Sequence, residues 1–128
     1  MAKIVVASED EVARMTLCAE IAAERHEVLD VFDGYEAYQT TLDQQPDLVF
    51  LDAVLPIFNG LETCDMIRKD PEIAGALPII FLLSEDTNIR TLEKAGATDY
   101  LQKAHDVHDL RDLLAKYLPA DSMPTSVF

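Results

Sequence analysis

The chain has 128 residues, 49% of them hydrophobic, and its 24 acidic residues outweigh 10 Lys and Arg to give a net charge of −14. This composition suits one compact domain, and such a negative surface repels nucleic acid and anionic membranes, so we expect neither as a direct partner. The two cysteines lack a CxxC spacing. We expect both to be buried, reduced thiols, which predicts a cytoplasmic location.

The first half of the chain alternates short apolar runs with helix-length amphipathic segments. The spacing predicts a strand over 4–7, a helix over about 10–24, a second strand over 28–32, and a helix that follows the turn at 33–34. The second strand is less uniformly apolar than the first.

The second half repeats this alternation, and Gly96 is expected to end the fourth helix as a C-cap. The predicted elements are strands over 47–51, 79–83 and around 100–101, and helices around 61–67, 89–95 and 110–117. Five β-α units with continuously apolar strands favour an α/β domain whose parallel sheet is covered on both faces. We expect the domain to span 1–119 and residues 120–128, which show no periodicity, to form a flexible C-terminal tail or the start of a linker.

Polar side chains follow these predicted strands. Glu9 and Asp10 follow the first strand, Asp52 ends the third, Ser84 follows the fourth and Lys103 follows the fifth. Because ligands of such sheets bind beyond the carboxyl ends of the strands, we expect these side chains to converge in one cleft. Carboxylates there suit Mg²⁺, a lysine suits a phosphoryl oxygen, and an aspartate can attack phosphorus to form an aspartyl phosphate.

The segments around these residues resemble the receiver domains of two-component response regulators. The resemblance covers 3–118 and rests on DLVFLD, LP, NG, LPII and GATDYLQK, at 47–52, 55–56, 59–60, 77–80 and 96–103. It implies a doubly wound five-stranded parallel sheet of flavodoxin-like order 2-1-3-4-5 with helices on both faces.

The resemblance also implies a role for each residue of the cleft. Asp52 would be the phosphoacceptor, and Lys103 would contact the phosphoryl group. Mg²⁺ would be the cofactor, held by Asp52, by Glu9 and by the backbone carbonyl of Val54. Tyr100 matches the aromatic switch residue that repositions when a receiver is activated.

Two parts of the cleft depart from the family pattern. The family has two adjacent acids after the first strand, and here those two positions are Ser8 and Glu9. Asp10 is an alternative metal ligand if the register slips by one. The hydroxyl expected at the end of the fourth strand is replaced by Leu83, a switch position. Ser84, the next residue, is the alternative phosphoryl contact.

Structural roles stay open for some of these residues. Ser8 and Glu11 form an S-x-x-E pattern typical of a capping box, and Ser84 could cap the next helix. Ala104 replaces the proline that usually follows the lysine, and the segment between Ser84 and Gly96 is a few residues shorter than usual.

These observations predict a phosphorylation switch that is not an enzyme beyond its own phosphotransfer and dephosphorylation. A histidine kinase or a phosphotransfer protein would donate the phosphoryl group to Asp52, and a downstream protein target or effector domain would read the change. A weak homodimer is a further expectation. The alternative is a degenerate receiver that binds partners independently of phosphorylation, which the residues Ser8, Leu83 and Ala104 favour.

Overall fold

A computed structural model describes residues 1–119, so the predicted tail at 120–128 lies outside the described part of the chain. The strands are β1 (Lys3–Ala7), β2 (Glu27–Val31), β3 (Leu48–Asp52), β4 (Ile79–Leu83) and β5 (Asp99–Gln102). They form one parallel sheet in the order β2-β1-β3-β4-β5. The predicted order 2-1-3-4-5 is therefore confirmed.

Within the described residues, five helices connect and follow the strands. They are α1 (Glu11–Ala23), α2 (Gly34–Gln44), α3 (Gly60–Lys69), α4 (Ile89–Ala95) and α5 (Val107–Tyr117). Within residues 1–119, no helix is both long enough and apolar enough to cross a membrane.

Alternation along the strands creates a separate apolar core on each face of the sheet. In β1, Ile4 and Val6 point to the face covered by α1 and α5, while Val5 and Ala7 point to the face covered by α2, α3 and α4. Every residue of β3 and of β4 is buried. The continuous apolar runs in the sequence therefore reflect strands covered on both sides.

Each helix begins after an Asp or Asn whose side chain accepts a hydrogen bond from an amide of the first turn. These N-cap residues are Asp10, Asp33, Asn59, Asn88 and Asp106. The alternative of a capping box from Ser8 to Glu11 is wrong, because Asp10 fills the N-cap position of α1. Ser84 does not cap α4, because Asn88 does.

Two glycines fix the chain at opposite edges of the sheet, Gly60 at the carboxyl edge and Gly96 before the amino end of β5. A Cβ on Gly60 would lie 2.2 Å from the carbonyl oxygen of Asp52, so only glycine lets α3 start against the end of β3. The Gly60 amide also donates to the carbonyl of Ala53 at 2.9 Å. Gly96 has a φ of 103° and caps α4, as predicted.

Candidate functional site

Asp52 is the last residue of β3, and it is only 2% exposed. Its strand lies between β1 and β4, in a register that pairs Leu51 with Ala7 and Asp52 with Leu82. The central position in the sheet therefore brings the ends of both neighbouring strands next to the Asp52 carboxylate. A buried carboxylate requires hydrogen-bond donors and a counter-charge to remain ionised.

The structure supplies Asp52 with hydrogen-bond donors and with a counter-charge. One carboxylate oxygen of Asp52, Oδ2, accepts from the Ser8 hydroxyl at 2.8 Å and lies 2.8 Å from the Lys103 amine. The other oxygen, Oδ1, accepts from the Val54 amide at 3.1 Å. Oδ2 thus has two partners, whereas Oδ1 keeps a lone pair free of protein contacts among residues 1–119.

Lys103 reaches the cleft from the end of β5. Its amide donates to the carbonyl of Leu83 at 2.9 Å, which continues the β4–β5 ladder by one residue. Its amine lies 4.0 Å from Asp10 Oδ2 as well as 2.8 Å from Asp52 Oδ2. The structure thus brings Asp52 and Asp10 together around the ammonium group of Lys103.

Glu9 lies on the loop between β1 and α1, next to Asp10 in the sequence. It is exposed, and it lines an open cavity of about 400 Å³ with Glu11, Arg14, Phe32 and Pro56. Within residues 1–119, no hydrogen bond or ion pair joins Glu9 to Asp52. Asp10, the alternative that the sequence left open, lies 4.0 Å from the Lys103 amine.

The donor set at this edge fits a hard divalent cation. Asp52 Oδ1 has an open lone pair, Asp10 and Glu9 are carboxylates on the adjoining loop, and Val54 follows Asp52 by two residues. No group of three or more His, Cys, Asp or Glu within 1–119 is arranged to hold a metal. Mg²⁺ is compatible with so few carboxylates because it keeps several waters and uses phosphate oxygens as ligands.

The end of β4 offers no hydroxyl to Asp52. Leu83 is 5% exposed and packs in the core on the α2–α3–α4 face. The Ser84 hydroxyl is exposed and lies 3.2 Å from both Asp86 Oδ1 and Thr87 Oγ1. The structure therefore holds Ser84 in a local turn.

Ser8 is the site residue that sequence reasoning missed. In the sequence, Ser8 stands only as the replacement of an expected acid and as part of an S-x-x-E pattern. The structure places the Ser8 hydroxyl against Asp52 and buries the residue fully. The signal was available, since Ser8 directly follows β1 and β1 pairs with β3 in the predicted sheet order. The register Ala7–Leu51 places Ser8 beside Asp52.

Tyr100 lies in β5, away from the Asp52 carboxylate. It is partly buried against the core on the α2–α3–α4 face, and it pairs with Phe81 in the sheet. Burial, followed by the charges of Glu93 and Asp99, raises the pKa of the Tyr100 phenol. A cavity of about 420 Å³ lies beside it, lined also by Asp99 and by Lys116 of α5.

Residues 4–115 match the family described as response regulator receiver domain. The fold is similar to the receiver domain of sensor histidine kinase PA1611 from Pseudomonas aeruginosa PAO1, solved with a magnesium ion coordinated in its active site cleft. That comparison has a TM-score of 0.83 and 24% identity, and covers 91% of this chain and 96% of that one.

Two further structures have the same fold. CheY4 of Vibrio cholerae, a chemotaxis response regulator, matches with a TM-score of 0.83 and 23% identity over 92% of this chain and 99% of that chain. NtrX from Brucella abortus matches with a TM-score of 0.80 and 29% identity over 91% of this chain and 27% of the NtrX chain. The family match covers most of the sequence, and the sheet order agrees with it. The chain therefore belongs to the receiver domain family of two-component response regulators.

Proposed function

We propose that this receiver accepts a phosphoryl group on Asp52 in a Mg²⁺-dependent reaction and thereby switches the binding of a partner protein. The observation that carries the proposal is the Asp52 carboxylate itself. It is 2% exposed, its Oδ2 lies 2.8 Å from the Lys103 amine, and its Oδ1 has an open lone pair.

The contacts of Asp52 suit nucleophilic attack on phosphorus. A carboxylate oxygen would form the new O–P bond while the bond from phosphorus to the donor's leaving group breaks. The Val54 amide holds the carboxylate in place, and the Lys103 ammonium, 2.8 Å from Oδ2, would neutralise charge that builds up on the phosphoryl oxygens. When bound, Mg²⁺ supplies additional charge neutralisation for those oxygens. The protein acts only on its own aspartate and turns over no separate substrate.

Exposed apolar side chains around this edge of the sheet support a protein as the phosphodonor. They lie at the start of α1, after β2, at the start of α2 and in the β3–α3 loop, and each is 52–76% exposed. These residues are Val12, Met15, Phe32, Tyr35, Val54 and Ile57. Such a rim suits docking of a partner surface, and we propose a cytoplasmic histidine kinase or phosphotransfer protein as that partner.

Phosphorylation of Asp52 would change the surface near β5 to which a downstream partner binds. A phosphoryl group on Asp52 competes with Asp52 and Asp10 for the Lys103 amine, whose backbone is joined to the end of β4 at Leu83. Tyr100 lies in β5, three residues before Lys103, and borders the cavity beside α5. We propose that a downstream protein target or effector domain, or a second copy in a weak homodimer, binds this side of the molecule.

Incubation with acetyl phosphate and Mg²⁺ tests the proposal directly. We expect intact-mass spectrometry to detect one added phosphoryl group, and the gain to disappear in Asp52→Asn and in the presence of EDTA. Ser84→Ala is the matched control, because Ser84 does not contact Asp52, and it should be modified like the wild type. A wild-type protein that gains no mass, or a gain that persists in Asp52→Asn, would refute the proposal.

A second candidate is the degenerate receiver, and the end of β4 favours it. Leu83 supplies no hydroxyl and Ser84 hydrogen-bonds within its own turn, so one oxygen of a phosphoryl group on Asp52 would lack the donor that this strand end usually gives. Loss of a hydrogen bond to a charged group costs about 1.5–3 kcal/mol. Partner binding that is identical for wild type and Asp52→Asn, with and without acetyl phosphate, would select this candidate.

A further inference from the structure

A four-residue loop, 103–106, joins β5 to α5 and carries Lys103 as its first residue. Ala104 occupies the position at which the family pattern has proline, so the loop lacks the fixed φ that a proline ring imposes. Another restraint must hold the loop if the Lys103 amine is to stay within 2.8 Å of Asp52.

His105 provides a restraint of this kind. Its side chain is only 4% exposed, although it lies in a surface loop. Nδ1 lies 3.0 Å from the carbonyl oxygen of Gln102, and Nε2 lies 2.6 Å from Oε1 of Glu20 on α1. The Gln102 carbonyl can only accept, so Nδ1 donates in that contact, and Glu20 lies against the other ring nitrogen.

The bridge spans both sides of Lys103. Gln102 precedes Lys103 and His105 follows it by two residues, so the ring closes the chain around the lysine. Glu20 then anchors this closed turn to α1, the helix whose N-cap Asp10 lies 4.0 Å from the Lys103 amine. Movement of the loop away from the cleft would break both contacts of His105.

A separate ion pair joins α1 to α5 without touching the loop. Arg111 Nε of α5 lies 3.2 Å from Glu24 Oε2, one turn along from Glu20, and the Arg111 side chain is 50% exposed. Its loss would loosen contact between helices α1 and α5 without freeing Lys103. The chain therefore offers an internal control for the effect of removing an ion pair.

From this geometry we propose that His105 and Glu20 are positioning residues, which hold the β5–α5 loop so that the Lys103 amine stays on Asp52. The inference rests on the proposed phosphorylation of Asp52. The role of His105 is exerted through Lys103, because neither ring nitrogen contacts the Asp52 carboxylate.

Amide hydrogen exchange tests the restraint without any phosphorylation. The Lys103 amide donates to Leu83, so a loosened loop exposes it to solvent. We expect the Lys103 amide to exchange about tenfold faster in His105→Ala and in Glu20→Ala than in the wild type, because the loop opens more often. The Leu110 amide in α5 should be unchanged. Unchanged exchange at Lys103, or equal acceleration at Lys103 and Leu110, would overturn the proposal.

Phosphorylation kinetics test whether the effect passes through Lys103. We expect His105→Ala to slow modification by acetyl phosphate about tenfold, and Arg111→Ala to leave the rate unchanged. In a Lys103→Ala background, adding His105→Ala should cause no further loss. The same loss in both backgrounds would assign His105 a general structural role and overturn the proposal.

A conservative variant separates lost contact from lost stability. Glu20→Gln can donate its amide to Nε2 of a neutral ring while Nδ1 still donates to Gln102, so it should restore most of the rate that Glu20→Ala loses. Equal rates for Glu20→Gln and Glu20→Ala would count against the bridge. If the wild type itself is not phosphorylated, the proposed function fails, whereas the exchange rates still decide whether His105 restrains the loop.

Discussion

Ser8 is a polar residue that the fold buries beside Asp52. It is fully buried, its hydroxyl donates to Asp52 at 2.8 Å, and the same oxygen accepts from the Asp10 amide at 3.1 Å. A hydroxyl at this position satisfies Asp52 without adding a second negative charge. Lys103, 2.8 Å away, is then the counter-ion of the buried Asp52 carboxylate.

A carboxylate at position 8 should make the protein's stability depend on metal. Ser8→Asp removes the hydrogen bond to Asp52 and places a like charge against it, so we expect unfolding in urea with EDTA to require about 2 kcal/mol less free energy than for wild type. Saturating Mg²⁺ should recover most of this loss, because the ion binds the folded state. Ser84→Asp, at an exposed position, should show neither effect. A Ser8→Asp protein whose stability ignores Mg²⁺ would contradict the prediction.

The two thiols provide a second test at this scale; Cys64 is buried as expected, whereas Cys18 is only half-buried. Burial raises the pKa of both Cys18 and Cys64 to about 11, with the nearby Asp30 adding to the effect at Cys18. Since the thiolate is the reactive form, we expect iodoacetamide to alkylate neither residue appreciably at neutral pH in the folded protein. Alkylation should become rapid in urea. Fast labelling of the native protein at neutral pH would contradict the assigned environments.

At the scale of elements, Asp99 joins β5 to the end of α5. It accepts from the Tyr117 hydroxyl at 2.5 Å and lies 3.5 Å from the Lys116 amine. Burial acts to raise the pKa of Asp99, but the bonds from Tyr117 and from the Tyr100 amide, together with the charge of Lys116, outweigh it. The pKa therefore lies below its usual value of 3.8.

This pKa predicts a pH-dependent contribution to stability. A carboxyl group with a lowered pKa in the folded state stabilises it fully above its unfolded pKa, and the contribution disappears as pH falls through the folded value. We expect Asp99→Asn to lower the free energy of unfolding by about 1 kcal/mol at neutral pH, a value reduced by solvent screening. Urea titrations at a series of pH values should show wild type and variant converging in acid. A difference in the free energy of unfolding that does not change with pH would argue against a lowered pKa for Asp99.

At the scale of the whole molecule, two cores share one sheet. Phe50 lies in the core under α1 and α5, and Phe81 lies in the core under α2, α3 and α4, and both rings are fully buried. Their strands pair directly, β3 with β4. Disruption of either core should therefore destabilise the entire domain and leave no independently folded half.

Matched substitutions test this coupling. Phe50→Ala and Phe81→Ala should each lower the free energy of unfolding by about 3–5 kcal/mol, and each should retain a single cooperative transition in urea by circular dichroism and by tyrosine fluorescence. Separate transitions by the two probes in either variant would indicate that the faces unfold independently.

The sequence predicts the sheet well because burial leaves a strong pattern. β3 and β4 are covered on both sides; β4 lies at its predicted 79–83, and β3, predicted at 47–51, begins and ends one residue later. The edge strand β2 has exposed and half-buried residues, and it begins and ends one residue before its predicted range, 28–32. Its alternation is too weak to fix the register.

The arrangement of the cleft is less predictable, because it depends on where α1 begins. Asp10 takes the N-cap position, and this turn leaves Glu9 exposed and Asp10 close to Lys103. A shift of one residue would exchange the two acids. The bond from Ser8 to Asp52 and the bridge made by His105 depend on side-chain conformations and on contacts far apart in the chain, which periodicity does not encode.

Ile57, one of the exposed apolar residues of the β3–α3 loop, has a φ of 70° and is 70% exposed. A β-branched side chain is strained in this left-handed region, which glycine or asparagine adopts far more readily. So little packing surrounds the side chain that the fold itself gains almost nothing from it. Engineering for heat resistance would remove Ile57 first, and would thereby also erase a hydrocarbon surface beside the phosphoacceptor that an incoming protein could recognise.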